Sequence, residues 1–128
     1  FIDNNNLQGR AKLLGYKSKP YNFIKNCDIF ILTSKFEGLP NVLLESLVLK
    51  KFIISSDCRT GPKEILLNGK GGLLFRVGDY KALAKKISYF YFNKKKCKKL
   101  LIKSHKALNR FDYNDNLLKY YKLINSLV

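Results

Sequence analysis

Short apolar runs alternate with helical patterns along residues 11–75, and this alternation constrains the fold more than any other feature of the sequence. The run "DIFILTS" is continuous in apolar character, which is typical of a strand covered on both faces. Strands that alternate with helices favour βαβ units and a parallel sheet. Strands are predicted at residues 11–15, 28–34, 52–56 and 72–75, with helices at 20–26, 41–50 and 61–67 between them.

Three further helices are predicted after the last strand, over residues 79–92, 94–109 and 113–127. Asp79 and Asp112 stand at two of the helix starts, where an aspartate side chain can accept a hydrogen bond from a free N–H of the first turn. A chain of 128 residues with a hydrophobic share of 46% is sufficient for one domain with its own core.

The composition excludes several classes of protein. No run of about 18 or more apolar residues is present, and the opening "FIDNNNLQGR" lacks the features of a signal peptide, so a cytoplasmic location is predicted. Cys27, Cys58 and Cys97 are widely spaced and only His105 accompanies them, which indicates reduced structural thiols rather than a zinc site or a disulfide framework. Met is absent, including at position 1, which favours a piece of a longer protein.

The net charge of +16 comes from 25 Lys and Arg against 9 Asp and Glu, and the excess is heaviest after Lys81. Such a bias suits nucleic acid, an anionic membrane surface or a phosphorylated substrate, and a solvated helix face in a Lys-rich proteome explains it equally well. Aromatic residues are not interleaved with Lys as in a stacking platform, so no nucleic-acid partner is expected. A non-catalytic basic binding module remains an alternative.

The loop "KFEGLP" joins the strand 28–34 to the helix that begins near Asn41. In an open parallel sheet, ligands bind outside the carboxyl ends of the strands, where helix starts present free N–H groups. Gly38 allows a close approach of the backbone to a ligand, and Pro40 fixes the turn. The backbone amides at the start of the helix can receive phosphate oxygens. A pyrophosphate would fit this position.

Glu45 is a carboxylate inside an otherwise almost wholly apolar helix, about one turn after Asn41 and on the same side. Its two oxygens could accept a pair of hydrogen bonds from a vicinal diol such as a ribose. The alternative is that Glu45 merely interacts with the helix start or a neighbouring amide.

Glu37 and Glu45, separated by seven residues within "S-x-x-EGLPNVLLES", resemble the E-x7-E motif of family 4 glycosyltransferases, which have the two-domain GT-B fold. The segments before and after, "LLGYKSKPYNFIKNCDIFILTS" and "IISSDCRTGPKEILLNGKGGLLFRVGDYKALAKKI", are also similar to the family in order and spacing. The resemblance covers residues 11–92.

The resemblance implies roles for individual residues. Glu45 would bind the ribose hydroxyls of the donor, and Glu37 would lie beside the donor sugar ring as the candidate catalytic residue. Tyr16 falls where the family contacts the nucleobase. The sugar hydroxyls and the diphosphate would be held by the backbone of Gly38, Leu39, Pro40, Asn41 and Val42.

A second loop, with Thr60, Gly61 and Lys63, is expected at the same edge of the sheet, where Lys63 either faces phosphate or is a solvated residue at a helix start. The chain departs from the family at Lys50 and Phe52, where many relatives have Gly and Pro, so a non-Gly residue is expected to adopt a left-handed turn at a cost of roughly 1–2 kcal/mol. Lys19 stands where relatives tend to have Asn.

The resemblance implies a retaining, metal-independent hexosyltransferase that moves a sugar from a UDP-sugar to a glycan or lipid-linked acceptor without a cofactor. The Lys-rich helices after residue 81 suit a peripheral contact with the anionic inner face of the membrane, which would fit a lipid-linked acceptor. A GT-B sugar-nucleotide epimerase is the alternative enzyme. Because Glu45 lies on a helix directed at the nucleotide, a hydrolase carboxylate pair is not expected.

The expected fold class is α/β, an incomplete doubly wound, Rossmann-like parallel sheet. In the strand order 3-2-1-4-5-6 the predicted strands correspond to 3, 4, 5 and 6. Residues 1–128 would be a partial nucleotide-sugar-binding domain, with C-terminal helices at about 94–127, from the C-terminal half of a GT-B fold. The first two strands of that half and the acceptor-binding N-terminal domain would be missing, so the fragment is expected to be inactive alone.

Overall fold

The computed structural model describes residues 1–127, which form an α/β unit with a three-stranded parallel sheet. The elements in chain order are a 3-10 turn Asp3–Asn5, α1 (Tyr21–Asn26), β1 (Ile29–Leu32), α2 (Asn41–Val48), β2 (Phe52–Ser56), α3 (Pro62–Ile65), β3 (Leu73–Phe75), α4 (Tyr80–Phe92), α5 (Lys94–Lys106), a 3-10 turn Ala107–Phe111 and α6 (Tyr113–Asn125). This architecture confirms the predicted α/β class.

The sheet has the order β1-β2-β3, with both pairs of strands parallel. Ile31 of β1 lies opposite Ile54 of β2, and Ile54 in turn lies opposite Leu73 of β3. All five residues of β2 are buried, because this strand has a neighbour on each side and helices on each face. The carboxyl ends of β1 and β2 therefore lie side by side, and the loops that follow them share one edge of the sheet.

Helices cover both faces of the sheet. The cluster around Ile53 includes residues of α2 and α3, and the cluster around Ile54 includes residues of α4 and α5. Successive residues of β2 thus contribute to opposite faces, as the pleat requires. On α5, the buried Ser104 donates a hydrogen bond to the carbonyl of Gly71 at 2.8 Å, which ties the helix to the turn that leads into β3.

Two helix starts are capped as the sequence predicts. The Asp79 carboxylate accepts a hydrogen bond from the N–H of Ala82 at 2.8 Å, and that of Asp112 accepts one from the N–H of Asp115 at 3.0 Å. Each cap satisfies one of the backbone donors that a helix start leaves free.

The end of α2 shows the left-handed residue that was expected near Lys50. Lys50 has φ +55°, and its N–H donates to the Leu47 carbonyl at 2.9 Å. The N–H of Lys51 donates to the Ser46 carbonyl at 2.8 Å, which completes a Schellman ending. A lysine thus occupies a left-handed position that favours glycine. The turn leads the chain from α2 into the central strand β2.

The predicted strand at 11–15 is wrong. Residues 11–19 are exposed and belong to no helix or strand, and Leu13 is 86% exposed. A strand needs a neighbour to hydrogen-bond its backbone, and no described strand lies beside these residues. The other boundaries shift by a few residues. The strand predicted at 28–34 spans Ile29–Leu32, and the helix predicted at 94–109 ends at Lys106 before a 3-10 turn.

Cys27, Cys58 and Cys97 are free thiols. Burial raises the pKa of the thiols of Cys27 and Cys97 above the ordinary value, which keeps both protonated and poorly nucleophilic at neutral pH. Among residues 1–127, none of the helices has the length and apolar character needed to cross a bilayer.

Candidate donor-binding site

The loops after β1 and β2 are fastened to each other at the carboxyl edge of the sheet. The Ser56 hydroxyl at the end of β2 donates to the carbonyl of Ser34 at 2.7 Å, and the Thr60 hydroxyl donates to the carbonyl of Glu37. These two bonds connect residues 22 and 23 positions apart in the chain. The loops at residues 33–40 and 57–61 are therefore brought together, and we call this edge the rim.

Gly61 shows how closely the loops approach. It has φ +86°, and a Cβ atom on it would overlap the carbonyl oxygen of Gly38 and the ring of Pro40. Only glycine tolerates both the conformation and the contact. Gly61 thus serves to position the Gly38–Pro40 backbone, a role that the sequence did not reveal.

The start of α2 presents unsatisfied donors at this rim. Pro40 occupies the N-cap position and provides no side-chain cap. The N–H of Leu43 donates to the carbonyl of Pro40 at 2.9 Å, while the amides of Asn41 and Val42 have no acceptor among residues 1–127. Free N–H groups and the positive end of the helix dipole favour an anion at this point.

Glu45 lies one turn further along α2, on the wall of an open cleft of about 390 Å³ between α1 and α2. The cleft is lined by Tyr21, Asn41, Leu44, Glu45, Val48 and Leu49. The carboxylate is half-buried, and no cation lies within ion-pair distance of it in the described part of the chain. No protein hydrogen bond to its side chain occurs among these residues either, so both oxygens are available to a ligand.

Glu37 and Glu45 are held by different means. Glu37 is half-buried in the rim, and its backbone carbonyl is fixed by the Thr60 hydroxyl. Glu45 is fixed by the helix that carries it. The two carboxylates are thus attached to the same short loop and helix, as their spacing in the sequence predicts.

Lys63 forms an ion pair with Asp57, with 2.9 Å between its Nζ and a carboxylate oxygen. The two side chains are 57% and 30% exposed, so the pair itself adds little stability. Its effect is to hold the cation at the rim, beside the end of β2. The pairing with Asp57 was not anticipated from the sequence.

Tyr16 is not brought into this arrangement by any hydrogen bond of the described residues. Its side chain is 92% exposed in the irregular segment before α1. Tyr21 is the aromatic residue that lines the cleft beside Glu45, and the sequence analysis missed it. Its position one residue after Pro20, at the start of a short helix, is the signal that could have identified it.

No three His, Cys, Asp or Glu side chains come together within residues 1–127 in a way that could hold a metal ion. The positive groups at the rim are the free amides of α2, the exposed side chains of Lys35 and Arg59 in the two loops, and the paired Lys63. An anion at the rim would therefore be met by backbone donors and basic side chains.

Comparison with known proteins assigns the fold and the family. A solved structure of HepE from Anabaena in complex with UDP superposes with a TM-score of 0.86 at 22% identity, covering 98% of this chain and 35% of that one. A glycosyltransferase from Rickettsia africae superposes with a TM-score of 0.83 at 27% identity, covering 96% and 34%. The fold is that of the C-terminal domain of GT-B glycosyltransferases.

Curated relatives agree with this assignment. An N,N'-diacetylbacillosaminyl-diphospho-undecaprenol alpha-1,3-N-acetylgalactosaminyltransferase of Campylobacter jejuni is 32% identical over 122 residues, which is 94% of this chain and 32% of the relative. An uncharacterized glycosyltransferase of Methanocaldococcus jannaschii is 46% identical over 65 residues, 51% of this chain and 16% of the relative. The chain thus spans a third or less of these relatives. The family described as "Glycosyl transferases group 1" matches residues 1–107, and the chain belongs to that family.

Proposed function

We propose that this chain supplies the donor-binding wall of a retaining, hexosyl-transferring member of family 4 that moves a sugar from a UDP-sugar to a glycan or lipid-linked acceptor. The observation that carries the proposal is the unpaired carboxylate of Glu45 in a cleft one helical turn from an uncapped helix start. Two further facts support it: HepE has been crystallised with UDP and with UDP-glucose, and the Campylobacter relative is named for a diphospho-undecaprenol acceptor.

The distance between the start of α2 and the Glu45 carboxylate suits a nucleoside diphosphate. Glu45 lies four positions after Asn41, which is a rise of about 6 Å along the helix. A diphosphate that receives hydrogen bonds from the amides of Asn41 and Val42 would place its ribose about this distance away. The Glu45 carboxylate would then accept hydrogen bonds from the 2'- and 3'-hydroxyls, and Tyr21 would close one side of the cleft.

The same helix start would favour the chemical step. Negative charge grows on the diphosphate as the bond to the sugar breaks, and donors that are already fixed stabilise that charge without reorganisation. The rim supplies such donors because the Thr60 hydroxyl and Gly61 hold the loop in place. Glu37, on the same loop, would lie beside the sugar ring.

Metal independence follows from this arrangement as a prediction. Backbone amides, the helix dipole and the basic side chains of the rim would stabilise the diphosphate in place of a metal ion. Transfer by the complete gene product should therefore continue in EDTA at an unchanged rate. A strict requirement for Mg²⁺ or Mn²⁺, restored by adding the ion back, would contradict the proposed role of the helix start.

We further propose that residues 1–128 act together with additional polypeptide. The chain covers 32% of the Campylobacter relative, and within residues 1–127 β1 has a hydrogen-bonded neighbour on only one side. The cleft at Glu45 lies between α1 and α2 and is otherwise open among the described residues. The groups that would close its open side, and an acceptor site, would have to come from another part of the protein.

The experiment is a transfer assay with the complete gene product. The protein is incubated with a panel of UDP-sugars and with glycan or undecaprenyl-diphosphate-linked acceptors, and products are identified by NMR. The expected result is release of UDP together with a new glycosidic bond of the donor's anomeric configuration. An inverted linkage would refute the retaining mechanism, and an isomerised donor without transfer would identify a sugar-nucleotide epimerase instead.

A further inference from the structure

The junction between α4 and α5 combines exposed aromatic residues with an uncompensated cluster of lysines. Residues 80–111 contain ten lysines and Arg110 but no Asp or Glu. None of these cations forms an ion pair among the described residues. Solvated helices usually mix charges of both signs, because like charges three or four positions apart destabilise a helix. The absence of acidic residues is therefore a cost that no ion pair offsets in the part of the chain that the structure describes.

The aromatic residues of the junction differ in burial: one packs against the core and two are exposed. Phe90 stacks on Phe52 with 5.2 Å between ring centroids, and the Lys94 ammonium lies 4.4 Å from the centroid of Phe90. Tyr91 and Phe92, by contrast, are 68% and 79% exposed. Phe90 thus anchors the end of α4, and its two successors present an apolar tip to the outside.

The lysines adjoin this apolar tip. Phe92, Asn93 and Lys94–Lys96 line one shallow cavity, which places the Phe92 ring beside the first turn of α5. Lys99 follows Lys95 and Lys96 by four and three positions, so it extends the same face of the helix. We call the set Tyr91, Phe92, Lys95, Lys96 and Lys99 the junction patch.

We infer that the junction patch docks the protein on an anionic lipid bilayer. A bilayer surface attracts cations to its phosphate groups and accepts aromatic rings at the boundary between headgroups and acyl chains. The junction patch offers both, with the rings at the tip and the lysines beside them. A nucleic acid would instead require rings spaced along a groove for stacking, and Tyr91 and Phe92 are adjacent residues in edge-to-face contact at 5.1 Å.

The junction patch lies at the opposite edge of the sheet from the donor site. Phe52 is the first residue of β2, and Phe90 stacks directly on it, so the end of α4 lies at the amino edge. The loops that carry Glu37 and Gly61 lie at the carboxyl edge. Docking through the junction patch would therefore leave the donor cleft free. The inference stands apart from the proposed function, and each can fail without the other.

The first test measures whether the tip enters the bilayer. Residues 1–128 contain no tryptophan, so Phe92→Trp introduces a single fluorescent reporter at the tip once any tryptophan elsewhere in the complete gene product has been replaced by phenylalanine. Tyr80→Trp is a matched control, because Tyr80 is 73% exposed at the other end of α4. The complete gene product is mixed with phosphatidylcholine vesicles, with and without phosphatidylglycerol, and brominated acyl chains serve as quenchers. A blue shift and quenching are expected for Phe92→Trp alone and only with the anionic lipid. Equal responses, or none, would overturn the inference.

The second test measures the contribution of the lysines. The triple variant Lys95→Gln, Lys96→Gln, Lys99→Gln should weaken co-sedimentation with anionic vesicles about a hundredfold, since one cation near the surface contributes about fivefold. The control Lys12→Gln, Lys17→Gln, Lys25→Gln removes the same charge from exposed positions near α1 and should change binding by no more than a few fold.

Circular dichroism checks that both triple variants remain folded. Equal losses for the two would show that only net charge matters, and would overturn the assignment to the junction patch. Binding to random-sequence nucleic acid that depends on Lys95, Lys96 and Lys99, with vesicle binding that does not, would identify a nucleic-acid surface instead.

Discussion

The central strand β2 and the edge strand β1 differ more in burial than in composition. β2 reads "FIISS" and all five of its residues are buried, whereas β1 reads "IFIL", is wholly apolar, and is only half-buried along its length. The two strands are in register over four residue pairs. The difference shows that neighbours, rather than the apolarity of the strand, determine burial. The half-buried strand is also the one whose loop carries the donor-site residues.

The largest expected effect concerns the open side of β1. A polypeptide of residues 1–128 alone should show weak or no cooperative melting and no sugar transfer, because unpaired apolar strand edges promote aggregation and the cleft at Glu45 is open on one side. Calorimetry and a transfer assay, run beside the complete gene product, make the comparison. A sharp two-state transition together with measurable turnover would refute this account.

A pair of matched substitutions tests whether β1 is an edge strand in the complete gene product. Ile31 and Ile54 lie opposite each other, half-buried and fully buried respectively. Ile54→Ala should lower the free energy of unfolding by about 2–5 kcal/mol. If a further strand covers β1, Ile31→Ala should cost a similar amount in urea melts.

Ile102→Ala on the surface of α5 is the control for this pair and should change stability little. A cost for Ile31→Ala below about 1 kcal/mol, the lower range for small losses of core contact, would show that β1 remains at an edge.

The smallest expected effect lies between the two strands, at the end of α2. Lys50 has φ +55°, so Lys50→Gly should raise the free energy of unfolding by about 0.5–1 kcal/mol, the left-handed strain less the added freedom of the unfolded chain. Lys51→Gly removes the same charge at a position without positive φ and should destabilise instead. Stabilisation by both variants would mean that the gain comes from removing a positive charge and not from relieving backbone strain.

Much of the fold follows from local patterns in the sequence. β2 has the predicted bounds, Asp79 and Asp112 cap their helices, and the left-handed turn falls at Lys50. Residues 11–15 were predicted as a strand because their composition suits one. A strand also needs a partner, and composition does not specify whether one is present.

The candidate site was predictable only where its residues share one loop and one helix. Glu37 through Glu45 are consecutive, so the spacing predicts their arrangement. The contacts of Gly61 with Gly38 and Pro40, the Lys63–Asp57 pair and the position of Tyr21 beside Glu45 depend on how separate segments pack. No local pattern encodes those contacts.

The most direct test of the donor-site assignment is the affinity of the complete gene product for its nucleotide-sugar donor, measured by calorimetry for Glu45→Gln. Loss of a charged acceptor that binds two hydroxyls should cost about 1.5–3 kcal/mol, roughly a tenfold to hundredfold rise in the dissociation constant. Glu64→Gln makes the same change on the exposed surface of α3 and should leave the constant unaltered. Unchanged donor binding by a folded Glu45→Gln protein would contradict the assignment of Glu45 to the ribose.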